Sequence, residues 1–384
     1  MINKGNLTLI FNHFEFGEEH LGKDVFLIPY HLGKQLGYDV TIVYPRTKTN
    51  DNIPKSLKGV RLIPLNYRKD LPFLPFWKHL NFYIYLLRHV KSINLLMRFH
   101  LSTHTEFMTI FYKLVNRKGK VYVKLDINAD ALEEMYGNQK NTLKRRIHGW
   151  IEAFFIRKSD CFSCETSMAF QRLKESAFAQ LQFGNKLQLV PNGFDELLLQ
   201  SLNIQERSFE EKENLIITVG RLGTTQKNTE MLLWALNKVK LNDWKVCLIG
   251  TIDPRIEQII QAFYKENPDK LESVKFVGAI FDKTELWEYY NRAKVFVLTS
   301  DWESYALVLN EAKRFRNYIV STEVGACKDL IEEEKYGVSL AINDVAGLAD
   351  VLNDIITGKR DIDVYKGYDM NELSWETQSK KLKL

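Results

Sequence analysis

Nowhere in this 384-residue chain does an apolar run approach the ~20 residues that a membrane-crossing helix needs. The first apolar stretch, Leu7 to Phe11, is too short for the core of a secretion signal. Export is therefore not expected, and the expected location is the cytoplasm, at most against the inner face of a membrane. Cysteine is scarce, four in all, which suits a reducing compartment and excludes a disulfide-stapled scaffold. Cys161 and Cys164 have metal-knuckle spacing, but only the isolated Cys247 and Cys327 remain and no matching His pair accompanies them. They read as buried strand positions, and no metal site is expected. The sequence also lacks internal repeats and low-complexity tracts.

What is present is charge, unevenly shared. Residues 1–195 hold 28 Lys and Arg against 17 Asp and Glu, residues 196–384 hold 25 against 31, and the net charge is +5. A basic first half suits an anionic partner such as a phosphorylated lipid, a membrane face or an acidic glycan; solvation of an uneven surface explains it equally well. No nucleic-acid partner is expected. The length exceeds what one core usually organises, so two domains are expected.

Strands and helices alternate. Leu7 to Phe11 reads as a strand, Asp24 to Leu36 as a helix, and Tyr38 to Tyr44 as a second strand entered through Gly37. Further strands are expected at Ile93 to Phe99, Lys120 to Leu125, Cys161 to Cys164 and Lys186 to Val190, before the turn Pro191-Asn192-Gly193. A polar stretch, Gln205 to Asn214, reads as a linker. Beyond it come strands at Leu215 to Gly220, Lys245 to Ile249, Val274 to Gly278, Val295 to Leu298 and Tyr318 to Ser321, with helices between them at Thr229 to Lys238, Thr284 to Arg292 and Tyr305 to Phe315. Ligands of such doubly wound sheets bind beyond the carboxyl ends of the strands, where Gly220, Gly250, Gly278 and Ser300 fall.

Glu303 and Glu311 are eight residues apart. With Glu303 just before the expected helix and Glu311 two turns into it, the rise between them is about 12 Å along one face. Two carboxylates so placed hold two ends of an elongated polar ligand, and the free amides of a first helical turn at Ser304, Tyr305, Ala306 and Leu307 favour an anion. An amphipathic helix with two acidic positions is the plainer alternative. Arg221, after Gly220, and Lys227 in the same loop supply cations for a diphosphate and for the charge that develops on a departing nucleotide.

The run Thr218-Val219-Gly220-Arg221-Leu222 with Lys227, then Gly278, then Glu303 with seven residues before Glu311, then Ser321-Thr322-Glu323-Val324-Gly325, resembles the retaining glycosyltransferases of family 4. Gly37-Tyr38-Asp39-Val40, Pro191-Asn192-Gly193 and Ser374-Trp375 extend the resemblance more weakly. It implies an α/β protein of GT-B fold, two Rossmann-like doubly wound domains facing a central cleft. Residues 1–195 would bind acceptor, 196–370 the nucleotide-sugar donor, and 371–384 would form a helix returning to the first domain. It further implies that Arg221 and Lys227 bind the donor diphosphate, Glu303 the sugar hydroxyls and Glu311 the ribose. Ala279 and Ile280 would meet the base, and the amides of Ser304 to Leu307 the sugar and phosphates. His100 resembles a family histidine at the cleft mouth.

Two departures stand out. Where the family has paired glycines, this chain has Glu18-Glu19-His20-Leu21-Gly22-Lys23, so Gly17 or Gly22 would let the backbone approach a phosphate and Lys23 would add charge. Where the family ends a strand in an active-site histidine, this chain has Asp126. Asp126 with Asp130 also has a weak metal-pair spacing. The implied activity is transfer of a sugar from a nucleotide diphosphate sugar, UDP-sugar before others, to a glycan, lipid-linked or protein acceptor. No cofactor is implied, and Glu303, Asp126, Arg221 and Lys227 carry the reaction. A non-catalytic partner subunit and a sugar-nucleotide epimerase of the same fold remain open alternatives. Two stretches mixing aromatics with cations, Leu71 to Lys91 and Lys140 to Lys158, suit contact with a membrane surface or a core-facing helix with a basic edge.

Overall fold

The computed structural model describes residues 5–12, 15–68, 76–128, 132, 142–175 and 182–384. Asp130, residues 71–75 and Lys140 lie outside the described residues. Its contacts divide the chain into two compact units, Met1–Asp195 with Ser374–Leu384, and Glu196–Leu373.

The first unit is an eight-stranded sheet of β1 (Asn6–Ile10), β2 (Asp39–Arg46), β3 (Ser56–Leu57), β4 (Val60–Asn66), β5 (Leu95–Phe99), β6 (Lys120–Lys124), β7 (Cys161–Cys164) and β8 (Leu187–Leu189). Its spatial order is β3-β4-β2-β1-β5-β6-β7-β8, and only the β3–β4 pair is antiparallel. The connecting helices are α1 (Asp24–Leu36), α2 (Leu80–His89), α3 (Thr103–Val115), α4 (Leu143–Lys158) and α5 (Ser167–Lys174). Covered on both faces, central strands such as β5 and β7 are buried at every position, as a parallel sheet requires. The helices carry readable ends. Ser102, Thr142 and Thr166 accept first-turn amides of α3, α4 and α5, and α1 stops at Gly37, which takes the left-handed φ of 65°.

β4 has no counterpart among the expected strands because Pro64 interrupts its pattern. It is tolerated because β3 pairs with only the first two residues of β4, so Pro64 has no outer neighbour there to miss its N–H.

The second unit is a six-stranded parallel sheet of β9 (Glu213–Val219), β10 (Lys245–Ile249), β11 (Val274–Gly278), β12 (Ala293–Leu298), β13 (Tyr318–Thr322) and β14 (Gly337–Leu340), in the order β11-β10-β9-β12-β13-β14. Around it lie α6 (Glu196–Leu202), α7 (Thr229–Asn237), α8 (Glu257–Glu266), α9 (Lys283–Arg292), α10 (Leu307–Arg314), α11 (Cys327–Ile331) and α12 (Val345–Ile356). The stretch 205–214 is not a free linker. Glu206 receives the guanidinium groups of Arg314 and Arg316, and buried Lys212 donates to the carbonyls of Tyr290, Asn291 and Ala293, closing the end of α9. Its charge is consumed by these partners, which the composition alone conceals.

The chain ends on the first unit. Ser374 caps the short helix α13 (Trp375–Lys380), Trp375 is 2% exposed, and its N–H donates to Phe194 O at 3.1 Å. A Cβ on Gly193 would stand 2.5 Å from the backbone N and Cα of Trp375, so the turn Pro191-Asn192-Gly193 needs glycine for this close approach. Backbone atoms cannot swing aside as a side chain can. Gly193→Ala should therefore lower stability by about 1–3 kcal/mol in urea unfolding; an unchanged midpoint would show that the terminal segment is held otherwise.

Candidate functional site

Numbered by position, the strand order of the second unit is 3-2-1-4-5-6, which reverses between β9 and β12. At such a switch point the loops leaving two adjacent strands diverge and open a crevice. The loop after β9 runs through Gly220, Arg221 and Lys227, and the loop after β12 through Ser300 to Ala306. Three glycines make the strand ends compatible. Gly250 sits at φ 144°, where a Cβ would fall 1.6 Å from Gly220 O, and Gly278 at φ 90° accepts the Gly250 N–H.

The two loops are tied across the crevice. Lys227 pairs with Glu303, whose Oε1 also accepts Ser300 Oγ at 2.8 Å and whose Oε2 receives Gln226 Nε2 at 3.3 Å. Thr299 Oγ1 donates to the carbonyls of Lys227 and Asn228, and Asp301 N donates to Gln226 O at 2.8 Å. Asn228, itself at φ 41° and capping α7, bonds Asp301 at 2.8 Å and Asn343 at 2.7 Å. The methylenes of Lys227 lie over Gly220, where any Cβ would press on them at 3.2 Å. Arg221 is exposed and bonds Gln226 within its own loop.

The helix after Glu303 begins at Leu307, two residues later than expected, because Ala306 takes a left-handed φ of 70° as its N-cap. Glu303 therefore stands in a loop, and the continuous 12 Å helical spacing to Glu311 does not apply. The first-turn amides begin at Leu307. The Tyr305 N–H precedes the helix, as do those of Ser304 and Ala306. Gly325, at φ 55°, explains the glycine of the Ser321 to Gly325 run: a Cβ there would meet Tyr305 O at 2.6 Å and Glu303 Cβ at 3.0 Å. Glu311 is held by α9, through Lys283 Nζ at 2.7 Å and Trp287 Nε1 at 3.0 Å on its Oε1. These two partners lie four residues apart on one helical face, a signal that went unread. Ala279 is exposed and Ile280 half-buried in the loop after β11, followed by Phe281 at 88% exposure.

The first unit has the same reversal, between β1 and β5. Beyond its strand ends, His100 and Asp126 both sit in the left-handed region, at φ 58° and 43°, with His100 Nδ1 3.9 Å from Asp126 Oδ2. Beside them is a group that sequence reading missed. Lys124, wholly buried at the end of β6, pairs with Asp24 at 2.9 Å and with Glu165 at 2.6 Å. Burial works against the Lys124 charge, yet Glu165, Asp24 and Asp126 hold its pKa well above the usual ammonium range. Burial pushes the Asp126 carboxyl up, but Lys124, His100 and hydrogen bonding with Glu165 bring it below the ordinary range. Burial lowers the His100 imidazole more than Asp126 restores it.

Asp24 opens α1, so Lys23, its N-cap, and Gly22 adjoin this cluster. Lys23 helps to hold Asp126 ionised. Gly22 has open space where a Cβ would be, whereas Gly17 is buried and the atoms nearest its Cβ would be those of the Glu19 carboxylate. Among the described residues no three His, Cys, Asp or Glu side chains are grouped to hold a metal ion, and no helix is long and apolar enough to cross a membrane.

Two sheets of this kind define a GT-B protein. The solved lipopolysaccharide outer core galactosyltransferase WaaB in its apo form is similar at TM-score 0.69 and 16% identity, over 98% of this chain and 97% of that one. Anabaena Alr3699/HepE, solved in complex with UDP and glucose, is similar at TM-score 0.67 and 13% identity, over 98% of each chain. At such identities the likeness is one of fold. More particularly, residues 200–367, within the second unit, match the family described as Glycosyl transferases group 1. Amylovoran biosynthesis glycosyltransferase AmsD of Erwinia amylovora is 30% identical over 151 residues, 38% of this chain and 40% of AmsD. The chain spans about half or less of the length of the curated relatives it matches.

Proposed function

We propose that this chain is a retaining glycosyltransferase that moves a sugar from a nucleotide diphosphate sugar, a UDP-sugar before others, to an acceptor hydroxyl in surface polysaccharide or glycoconjugate synthesis. The observation that carries this reading is the Lys227–Glu303 pair spanning the switch point of the second unit. A diphosphate entering there would meet Lys227, Arg221 and the first-turn amides from Leu307, while Glu303 and Glu311 each offer a carboxylate to hydroxyls of the sugar and the ribose. Exposed Phe281 would lie beside a base held by Ala279 and Ile280. HepE, of the same fold, was solved with UDP and glucose, and the AmsD likeness supports a polysaccharide product.

In the reaction the bond from the anomeric carbon to the phosphate oxygen breaks and the acceptor oxygen bonds the same carbon from the same face. The acceptor proton passes to the departing phosphate. Lys227 and Arg221 stabilise the charge left on that phosphate, and Glu303 orients the sugar. Asp126 accepts a hydrogen bond from a sugar hydroxyl, in place of an imidazole. Among a panel of nucleotide diphosphate sugars, one should raise the melting temperature of the protein and be consumed with acceptor. Glu303→Gln should lower kcat with that donor about 100-fold or more. No thermal protection by any nucleotide sugar, or full activity in Glu303→Gln, would overturn the assignment.

The acceptor is proposed to be lipid-linked and met at an anionic membrane surface through α4. Leu143, Ile147 and Trp150 on one face of that helix are 73%, 52% and 75% exposed, among Lys144, Arg145 and Arg146. A cavity of about 810 Å³ adjoins them, with Arg157 and Lys186 in its wall. The protein should co-sediment with vesicles containing phosphatidylglycerol and not with pure phosphatidylcholine, and Trp150→Ala should weaken that binding about tenfold. Equal binding to both vesicles would contradict the proposal.

A further inference from the structure

Three carboxyl groups face one buried ammonium in the first unit. The Lys124 side chain is 0% exposed, and those of Glu165, Asp24 and Asp126 are 1%, 12% and 34% exposed. Were all three ionised, a site almost closed to water would hold an excess of negative charge, which desolvation penalises heavily. The proton that relieves it belongs on the carboxyl with least access to solvent, Glu165. Its Oε1 accepts from Lys124. Its Oε2 is buried and its neighbour there is the Asp126 carboxyl, and two carboxyl oxygens can hydrogen-bond only if one of them carries a proton. A neutral carboxylic acid has one O–H to donate, and an ionised one has none.

We propose that Glu165 is a positioning residue for sugar transfer: it stays protonated, donates from Oε2 to Asp126, and so fixes Asp126 as an ionised acceptor aimed at a sugar hydroxyl. The proposal rests on the glycosyltransferase reading for its activity arm alone. Asp126 is the member that reaches solvent, and its backbone is held in a left-handed turn that orients it. Among the described residues, Lys124 and Tyr122 from β6, Asp24 and Lys23 from the start of α1, and His100 beyond β5 are charged or titratable groups around the cluster. Burial, opposed by Lys124 and reinforced by Asp126, pushes the Glu165 carboxyl up to about 8. Above that pH a charged Glu165 can no longer donate and repels Asp126.

The test compares wild type with Glu165→Gln and Glu165→Ala. Gln keeps an N–H donor for Asp126 and an oxygen for Lys124, but it cannot ionise. Wild-type kcat should fall as pH rises through about 8. Glu165→Gln should stay within about threefold of wild type at pH 7 and lose that alkaline fall, while Glu165→Ala should lower kcat about tenfold or more with little change in donor KM. In parallel, the infrared carbonyl band of a protonated carboxylic acid should be present in wild type at pH 7 and diminished in folded Glu165→Gln. An alkaline fall shared by Glu165→Gln, a Gln variant as impaired as Ala, or an infrared band unchanged in Glu165→Gln would overturn the proposal. Should no nucleotide sugar be turned over, the transfer reading fails separately, and the infrared band still decides where the proton resides.

Discussion

A parallel sheet whose strand order reverses has one place where neighbouring loops part, and side chains there meet a ligand with little competition from the rest of the fold. The second unit places a salt bridge at that point. Lys227 leaves one loop, Glu303 the other, and their union, with Ser300 and Gln226 beside it, holds the two loops in register. Most of what surrounds the pair serves that geometry. Gly220, Gly250 and Gly278 allow the strands to end side by side, Gly325 lets the next turn lie against Tyr305 and Glu303, and Asn228 binds the loop to its neighbours. A charged ligand entering the crevice would find partners already oriented, with little ordering left to be done on binding.

The first unit applies a different device to the equivalent strand ends. Instead of one half-buried pair, it buries an ammonium among carboxyls, of which Asp126 is the most exposed. Buried charge of this kind stabilises poorly when compared with apolar packing, and it persists where it fixes a conformation or a charge state. The left-handed backbone at His100 and Asp126 is of a piece with this, since strain is retained where the surrounding structure over-determines it. The carboxylate of Asp126 thus has a supporting shell of its own in Lys124, Glu165 and Asp24.

Much of this was legible in the residues, and what was not has physical reasons. Periodicity and end signals located α1, β7, β10 and β11 to the residue; α1, β10 and β11 end at or beside a glycine, and β7 is a short run between charged residues. The spacing singled out Glu303, Glu311, Lys227 and Arg221, and the structure sets Lys227, Arg221 and Glu303 on the two loops that flank the switch point of the second unit. Ala306 was not, since nothing in an alanine announces a left-handed cap, and the helix was placed two residues early. β4 was hidden by Pro64. The Lys124 cluster left one readable trace, a lysine inside an otherwise apolar strand, which in a sheet covered on both faces demands a buried partner. Its partners, Asp24 and Glu165, lie 100 and 41 positions away, and only the tertiary structure brings them together.

Sugar transfer by this chain requires above all that the switch point of the second unit be a nucleotide diphosphate site. Hydrogen exchange of the backbone amides with and without UDP measures this directly, because amides that bind or are closed over by a ligand exchange more slowly. The account predicts slowed exchange in residues 220–228 and 303–311, and in the loop from Gly278 to Phe281. Exchange unchanged in those segments at saturating UDP, or slowed only elsewhere, would contradict it.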